Sequence, residues 1–210
     1  MLVSKFDEEK SQLNLDQIAL LHRMIDRVRR SLDLTKILSA AADEIRLFLR
    51  VDRVKVYRFD YDGSGEVVAE SIEADRLPKL LGLRFPADDI PVPVRELFVK
   101  AKVRTIINVA EQRIQFSPLE AMPSTGALTL EEIQQQPLTT LLQRPVDPCH
   151  VEYLTAMGVQ ASLVVPIMVQ ECLWGLFVMH HIQPGPITES ELQVVQLIAD
   201  HMSVAIVQAE

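Results

Sequence analysis

The chain has 210 residues, of which 48% are hydrophobic and 24% charged, a composition typical of one globular domain with a single core. Its formal net charge of −8 argues against nucleic acid or an anionic membrane as the main partner. Two cysteines cannot form the disulfide framework of a small secreted protein, and the N-terminus lacks the apolar core of a signal peptide. No apolar run reaches the length of a membrane span, so we expect a cytoplasmic protein.

The first part of the chain predicts two helices followed by a hairpin. Apolar residues recur at spacings of three and four over 15–32, which predicts an amphipathic helix with a heptad seam. Asp33 is suited to cap a second helix. The runs RVKVYRFD (53–60) and GEVVAESI (65–72) surround an Asp-Gly-Ser-Gly turn and predict a β-hairpin. The predicted seam residues are Ile18, Leu21, Ile25, Val28 and Leu32.

The middle of the chain is less regular. FPADDIPVPVRELF (85–98) predicts a turn-rich segment that continues into a helix, and TIINV (105–109) predicts a short strand. Residues 110–146 contain four prolines and predict a long insertion, which in compact domains is usually functional or disordered. ASLVVPIMV (161–169) and LWGLFVMHH (173–181) predict a second pair of apolar strands.

The last segment and the order of elements give the fold class. Thr188 and Glu191 form a capping box for a final helix. Helices, hairpin, helix, strand, insertion, helix, hairpin and helix predict an α+β fold with a central, mainly antiparallel sheet flanked by helices. We expect one domain with an N-terminal helix (1–32), a core (33–187) and a C-terminal helix (188–210), excised from a longer protein. The final helix repeats apolar residues at heptad spacing, so both terminal helices predict a homodimer bundle. Those residues are Val195, Ile198, Met202 and Ala205. The alternative is that both helices simply cover the sheet.

Cys149 stands in a stretch with a clear local structure. Asp147 fits an N-cap, Pro148 the first helical position and Gly158 the residue that ends the helix. Cys149 therefore lies in the first turn, where the helix dipole favours the thiolate while the Asp147 charge opposes it. His150 follows Cys149 directly, which is poor geometry for a general base.

These local features leave three roles open for Cys149: a small buried hydrophobe, a nucleophile or an attachment point. A metal site is poorly supported, because His180 and His181 are neighbours on a predicted strand and point to opposite faces. The sequence has no glycine-rich phosphate loop of the Walker or dinucleotide-binding type.

Four motifs in this order resemble the chromophore-binding GAF domain of plant and cyanobacterial phytochromes. They are DRVKVYRFDYDGSGEVVAE (52–70), FPADDIPVPVRELF (85–98), DPCHVEYLTAMGVQASLVVPI (147–167) and LWGLFVMHH (173–181). Each motif is modest alone, but their order is specific, and the resemblance covers roughly residues 30–208. It implies a GAF fold with a bound linear tetrapyrrole.

The resemblance implies that Cys149 is the thioether attachment site of the pigment. Bacterial relatives that bind biliverdin attach it through a cysteine upstream of the GAF domain, and this sequence has no cysteine before Cys149. We therefore expect phycocyanobilin, a reduced bilin, as the chromophore. The remaining cysteine, Cys172, precedes Leu-Trp-Gly and is expected to be structural.

The resemblance also implies roles for pocket residues. Asp89 would present its backbone carbonyl to the pyrrole N–H groups, and His150 would pack beside the inner rings. His180 would hydrogen-bond the carbonyl of the outer ring, which rotates. Arg104 and Arg144 fall where the family holds the propionates, which suits the fork of arginine. The residues expected around the rotating ring are Tyr57, Phe85 and Tyr153, and Phe85 replaces the family's usual tyrosine.

The function implied by the resemblance is a non-enzymatic photoreceptor that senses red or far-red light by Z/E isomerisation and passes the signal to an output domain such as a histidine kinase. Two alternatives stay open from the residues. One is a pigment-free GAF module that binds a cyclic nucleotide or another small metabolite. The other is a methionine sulfoxide reductase, for which Cys149 and Cys172 are the available thiols.

Overall fold

The computed structural model describes residues 18–27, 31, 33–73, 76–101, 104–111, 113–115 and 148–209. These residues form one seven-stranded sheet with helices packed against it, and all strand pairings in the sheet are antiparallel. In chain order, the elements are α1 (18–27), α2 (Leu34–Leu49), β1 (Arg53–Phe59), β2 (Gly65–Ile72), β3 (Arg84–Phe85), a 3-10 turn (Ala87–Asp89), α3 (Val92–Ala101), β4 (Arg104–Asn108), β5 (Arg113–Gln115), α4 (Pro148–Ala156), β6 (Ala161–Val169), β7 (Cys172–His181) and α5 (Glu189–Ala209). The strand order in the sheet is β3-β2-β1-β7-β6-β4-β5.

The structure confirms the predicted α+β fold and both hairpins. The predicted Asp33 cap and the Thr188–Glu191 capping box are also present, whereas the predicted cap Asp147 lies outside the described residues. The backbone N–H of Lys36 donates to Asp33 at 3.2 Å, and the Thr188 N–H donates to Glu191 at 2.8 Å. Gly158 ends α4 with a φ of +76°, as its place in the sequence predicts. The three-residue strand β5 was not predicted, and most of the predicted insertion over 110–146 lies outside the described residues.

One face of the sheet, the core face, is apolar and carries most of the hydrophobic core. Alternate residues of the central strands, such as Val54, Val165 and Phe177, are fully buried there. Helices α1, α2 and α5 cover this face, and α2 contributes Ile37 and Ile45 to the same cluster. This face supplies the burial that stabilises the domain, which leaves the opposite face available for other chemistry.

The terminal helices correct part of the dimer prediction. The four heptad residues predicted on α5, Val195 among them, are at most 2% exposed and pack in the core. They are therefore not available to a partner. By length and composition alone α5 could cross a membrane over Ser190–Ala209, but its apolar character is accounted for by this packing. The apolar residues that remain exposed on α5 are Leu197, Val204 and Val207.

In α1 the residues that enter the core are Leu20 and Met24, each 1% exposed. The predicted seam residue Ile18 is 53% exposed, and Leu21 only packs against the edge of the core. The described heptad residues of α1 therefore lie beside the residues that face the core. In α5, by contrast, the heptad residues are themselves the residues that face the core.

Asp52 ties the start of β1 to the end of β7. Its carboxylate is buried and accepts hydrogen bonds from the Ile182 N–H at 2.9 Å, from Arg76 at 2.8 Å and from His181. Burial alone would raise the pKa of Asp52, but these hydrogen bonds outweigh it and lower the pKa. This anchor fixes the register in which Arg53 lies opposite His180.

Gly175 lies where β7 approaches the backbone of β1 closely. A Cβ at this position would meet the backbone carbonyl oxygen of Tyr57, whereas a Cβ at Gly185 would meet nothing within 4 Å. We expect Gly175→Ala to lower the free energy of unfolding by about 1–3 kcal/mol, as overpacking does, and Gly185→Ala to change it little. Urea denaturation of the two variants measures this. Equal stabilities would contradict the described approach of the strands.

Candidate functional site

The second face of the sheet carries buried polar and charged side chains, and we call it the polar face. Strand register brings its members together, because Arg53 pairs with His180, His180 pairs with Ser162, and Lys55 pairs with Glu70. Charged groups are rarely buried without a partner or a function. The members of the polar face are Arg53, Lys55, Tyr57, Glu70, Ser162 and His180.

Arg53 is the most connected member of the polar face and is fully buried. Its Nη2 lies 2.7 Å from Nδ1 of His180, and its Nε lies 3.3 Å from the same atom. Its Nη1 donates to the Pro78 carbonyl at 2.6 Å and lies 3.9 Å from the Glu70 carboxylate. Nη2 also lies 3.4 Å from the Met157 sulfur. One side chain thus joins two strands, the loop after β2 and the end of α4.

The contact with Arg53 determines the tautomer of His180. A guanidinium has only N–H donors and no lone pair, so Nδ1 of His180 must accept. Complete burial lowers the pKa of His180 well below its usual value, and the positive charges of Lys55 and Arg53 lower it further. The ring is therefore neutral and carries its proton on Nε2. His180 can donate a hydrogen bond to a ligand from that atom.

Lys55 is a second buried cation on the polar face. It is 6% exposed, and its Nζ lies 5.5 Å from the centre of the Phe85 ring. Burial and the charge of Arg53 together lower the pKa of Lys55 to about 7, against the opposing effect of Glu70. An amine in this environment changes charge near neutral pH.

Aromatic rings form one wall beside these charges. Tyr57 lies edge-on to Phe59 at 5.1 Å between ring centres and 6.0 Å from Phe85. Burial and the charge of Asp89 together raise the pKa of Tyr57 to about 12. Gly65 leaves the space that the Tyr57 ring occupies, because a Cβ there would collide with the ring.

Two hydroxyl groups of the polar face have no partner among the described residues. Tyr57 Oη and Ser162 Oγ are buried and make no hydrogen bond there. A buried hydroxyl without a partner costs about 1–3 kcal/mol, so such atoms mark a place where a ligand is expected. A ligand with several oxygen or nitrogen atoms would satisfy both.

The outer side of the site is formed by α4 and the 3-10 turn. The His150 and Tyr153 rings stack with 6.3 Å between centres, and Tyr153 is 37% exposed. Burial raises the pKa of Tyr153, and the Asp89 charge contributes as it does for Tyr57. Asp89 itself is exposed at the end of the 3-10 turn. Arg95 braces the next residue by donating to the Ile90 carbonyl at 2.8 Å.

The described part of the structure therefore brings most predicted site residues to one side of the sheet. Tyr57, Phe85 and His180 lie in or against the polar face, and His150 and Tyr153 border it from α4. For the remaining predictions, Cys149 lies in the first turn of α4, the Arg104 backbone pairs with Val164 in β6, and Arg144 lies outside the described residues. The role of each residue stays a prediction.

Sequence reasoning missed Arg53, Lys55, Glu70 and Ser162. A signal was present, since charged residues alternate with valines in the Arg-Val-Lys-Val-Tyr run of β1. Such alternation in a strand indicates one apolar and one polar face. Cys172 begins β7 and is exposed, so it does not contribute to the core as a structural cysteine would.

A cavity of about 230 Å³ lies elsewhere, between the end of α2 and the start of α5. Arg50, His181 and Glu191 contribute to its lining, and none of the predicted site residues does. The polar face remains the candidate site because it combines buried charge, orphan hydroxyls and an aromatic wall.

Comparison with known proteins places these features in context. The family model of the GAF domain matches residues 33–206. The bacteriophytochrome of Pseudomonas aeruginosa is 42% identical over 162 residues, which cover 77% of this chain and 21% of that protein. The chain thus spans about a fifth of the length of the phytochrome relatives it matches.

Two solved structures resemble the chain over nearly its full length. The phycocyanobilin-bound GAF domain from a cyanobacterial phytochrome is 46% identical with a TM-score of 0.76, and the similarity covers 92% of this chain and 94% of that one. The phycoerythrobilin-bound GAF domain from a cyanobacterial phytochrome is 47% identical with a TM-score of 0.74, covering 92% and 95%.

The tautomer of His180 can be tested in the protein without any ligand. Nitrogen NMR of ¹⁵N-histidine-labelled protein should show a neutral His180 with a bare Nδ1 and a protonated Nε2 from pH 6 to 8. In Arg53→Gln an amide N–H can still donate, so this tautomer should persist. In Arg53→Met the donor is lost, and the other tautomer should become populated. His180→Gln identifies the signal, and a protonated Nδ1 in the wild type would contradict the assignment.

Proposed function

Because the chain belongs to the GAF domain family and resembles phytochrome GAF domains over nine-tenths of its length, we propose that it is a light-sensing module that carries a linear tetrapyrrole on Cys149. The observation that supports this most is the polar face. It offers two orphan buried hydroxyls and the neutral donor His180 beside an aromatic wall. A flat molecule with ring nitrogens, carbonyls and carboxylates needs this combination.

Each side chain would have a distinct task in holding the pigment. Nε2 of His180 would donate to the carbonyl of the outer ring, and Tyr57, Phe85 and Tyr153 would enclose that ring. Asp89, His150 and the hydroxyl of Ser162 would contact the polar inner part. For the propionates we propose Arg104 and Arg144, since a guanidinium binds a carboxylate with two parallel hydrogen bonds.

Attachment would require only the thiol of Cys149. The sulfur would add to one carbon of a double bond on the pigment's end ring while the thiol proton moves to the neighbouring carbon. This addition leaves the oxidation state balanced and needs no further reactant. The start of α4 favours the thiolate that attacks, because backbone N–H groups point toward the first turn of a helix.

When bound, the tetrapyrrole supplies visible absorption and a double bond that isomerises between Z and E on excitation. The protein would convert that change into a signal through the contacts of His180, Tyr57 and Tyr153. Strand β7 carries His180 on the polar face and Met179 on the core face, where the cluster includes α5. A displaced β7 would therefore shift the equilibrium position of α5.

The proposed chromophore is phycocyanobilin, and phycoerythrobilin is the comparison to test, because similar GAF structures hold one or the other. Because the chain spans about a fifth of the length of its phytochrome relatives, we propose a place within a larger cytoplasmic sensor with an output domain. A homodimer would form through the terminal helices and use the exposed apolar residues Ile18, Leu197, Val204 and Val207.

Coexpression with the enzymes that make phycocyanobilin tests the proposal. The purified wild type should be coloured, should change its red absorption after red light, and should retain zinc-enhanced fluorescence after denaturation. Cys149→Ala should lose the covalent fluorescence, because no thioether can form. Cys172→Ala is the matched control and should keep it. A colourless wild type, or covalent pigment in Cys149→Ala, would contradict the proposal.

A further inference from the structure

Lys55 is an anomaly among the buried residues. Among the described residues its ammonium makes no hydrogen bond or ion pair, and its contact is the face of the Phe85 ring at 5.5 Å. The nearby carboxylate of Glu70 is already engaged. It accepts the Leu80 and Leu81 N–H groups at 3.0 Å and lies 3.9 Å from Arg53.

The charges of the polar face therefore do not balance. Arg53 and Lys55 are two buried cations, and Glu70 is the one carboxylate whose side chain is buried among the described members of that face. A buried charge without compensation is expensive, which is why such groups are usually paired or functional. Burial brings the pKa of Lys55 to about 7, so the protein holds a cation there only below neutral pH.

The position of this amine relates it to the proposed pigment. Its contact partner Phe85 lies against Tyr57, and both belong to the wall proposed for the outer ring. The Lys55 charge also acts on His180, the proposed donor to that ring. Lys55 thus stands at the same end of the site as the group that rotates.

We propose that Lys55 is a pigment-contacting residue whose charge opposes protonation of the bound tetrapyrrole, so that the two protonation equilibria are linked. This inference rests on the proposed function. Two positive charges within one buried site repel each other strongly, because the interior screens them poorly. By linkage, a proton on Lys55 lowers the proton affinity of the pigment, and a proton on the pigment lowers that of Lys55 by the same factor.

Other charged and titratable groups face the same region, and their charges also affect the protonation of Lys55 and of the pigment. His180 stays neutral because its pKa is far below the usual value, and Tyr57 does not ionise until about pH 12. Neither changes charge between pH 6 and 9. Among the described residues, the charged groups that act on Lys55 are Arg53 on β1 and Glu70 on β2. Those that act on its neighbours Tyr57, Tyr153 and His180 also include Asp60, Asp89, Arg95 and His150.

The test compares pigment-loaded wild type with Lys55→Met, which keeps the shape without charge, and Lys55→Arg, which keeps a permanent charge. The absorption spectrum is titrated from pH 5 to 10. The pH at which the pigment loses half its protons should be lowest in Lys55→Arg, intermediate in the wild type and highest in Lys55→Met. The two variants should differ by about 1–2 pH units, a ten- to hundredfold change in the proton-binding constant.

The apoprotein provides a second readout that does not depend on the pigment. The folded pKa of Lys55 is about 7 and the usual value is 10.5, so the unfolded chain binds more protons between these two values. The wild type should therefore gain stability as pH rises through that window, and the gain should be absent in Lys55→Met. Urea denaturation at pH 6, 8 and 10 measures the difference.

The outcomes separate this inference from the function on which it rests. A coloured wild type whose pigment titrates at the same pH in all three proteins would overturn the role of Lys55 and leave the photoreceptor proposal intact. A wild type that takes up no pigment would overturn both. If the free energy of unfolding of the wild-type apoprotein did not change between pH 6 and 10, the pKa of Lys55 would not be lowered in the folded state. That result would also overturn the inference.

Discussion

The hydrogen bond from the guanidinium of Arg53 to Nδ1 of His180 is the interaction on which the polar face depends. It joins β1 to β7 in the centre of the sheet, and the same guanidinium reaches the loop after β2 through the Pro78 carbonyl. Because the donor cannot become an acceptor, the imidazole is left with its proton on the opposite nitrogen. Arg53 therefore determines that His180 presents an Nε2–H donor to a ligand.

The hydrophobic core on the other face of the sheet offsets the cost of burying these charges. Buried charges such as Arg53 and Lys55 reduce stability unless they are compensated, whereas residues like Phe177 and Ile198 on the core side supply the hydrophobic burial that offsets them. Because side chains alternate along each strand, the same sheet carries the hydrophobic core on one face and the buried polar groups on the other. In β2 the pairing shifts beside Tyr57, so that Val67 joins the polar side while Ala69 joins the core.

The same alternation links the site to the terminal helix. Successive residues of β7 point to opposite faces, so His180 lies on the polar face and its neighbour Met179 packs in the core cluster that contains α5. In the proposed function, a displacement of His180 would reach α5 through this strand. Leu197, Val204 and Val207 of α5 remain exposed.

The sequence by itself determined the elements of the fold, because periodicity and capping are local. The two hairpins, the Asp33 cap and the Thr188–Glu191 capping box all depend on residues a few positions apart. It also pointed to Tyr57, Phe85 and His180, although only through the order of motifs.

Tertiary structure alone decided which residues work together and in which protonation state. Arg53 and His180 are 127 positions apart, and the lowered pKa of Lys55 arises from its burial in the fold and from the charge of Arg53, with Glu70 on β2 opposing the shift. It also decided that the heptad residues of α5 face the sheet and not a partner, since a repeat of apolar residues does not say which surface will cover it. Electrostatic environment and packing partner are properties of the assembled fold, and no local pattern of residues encodes them.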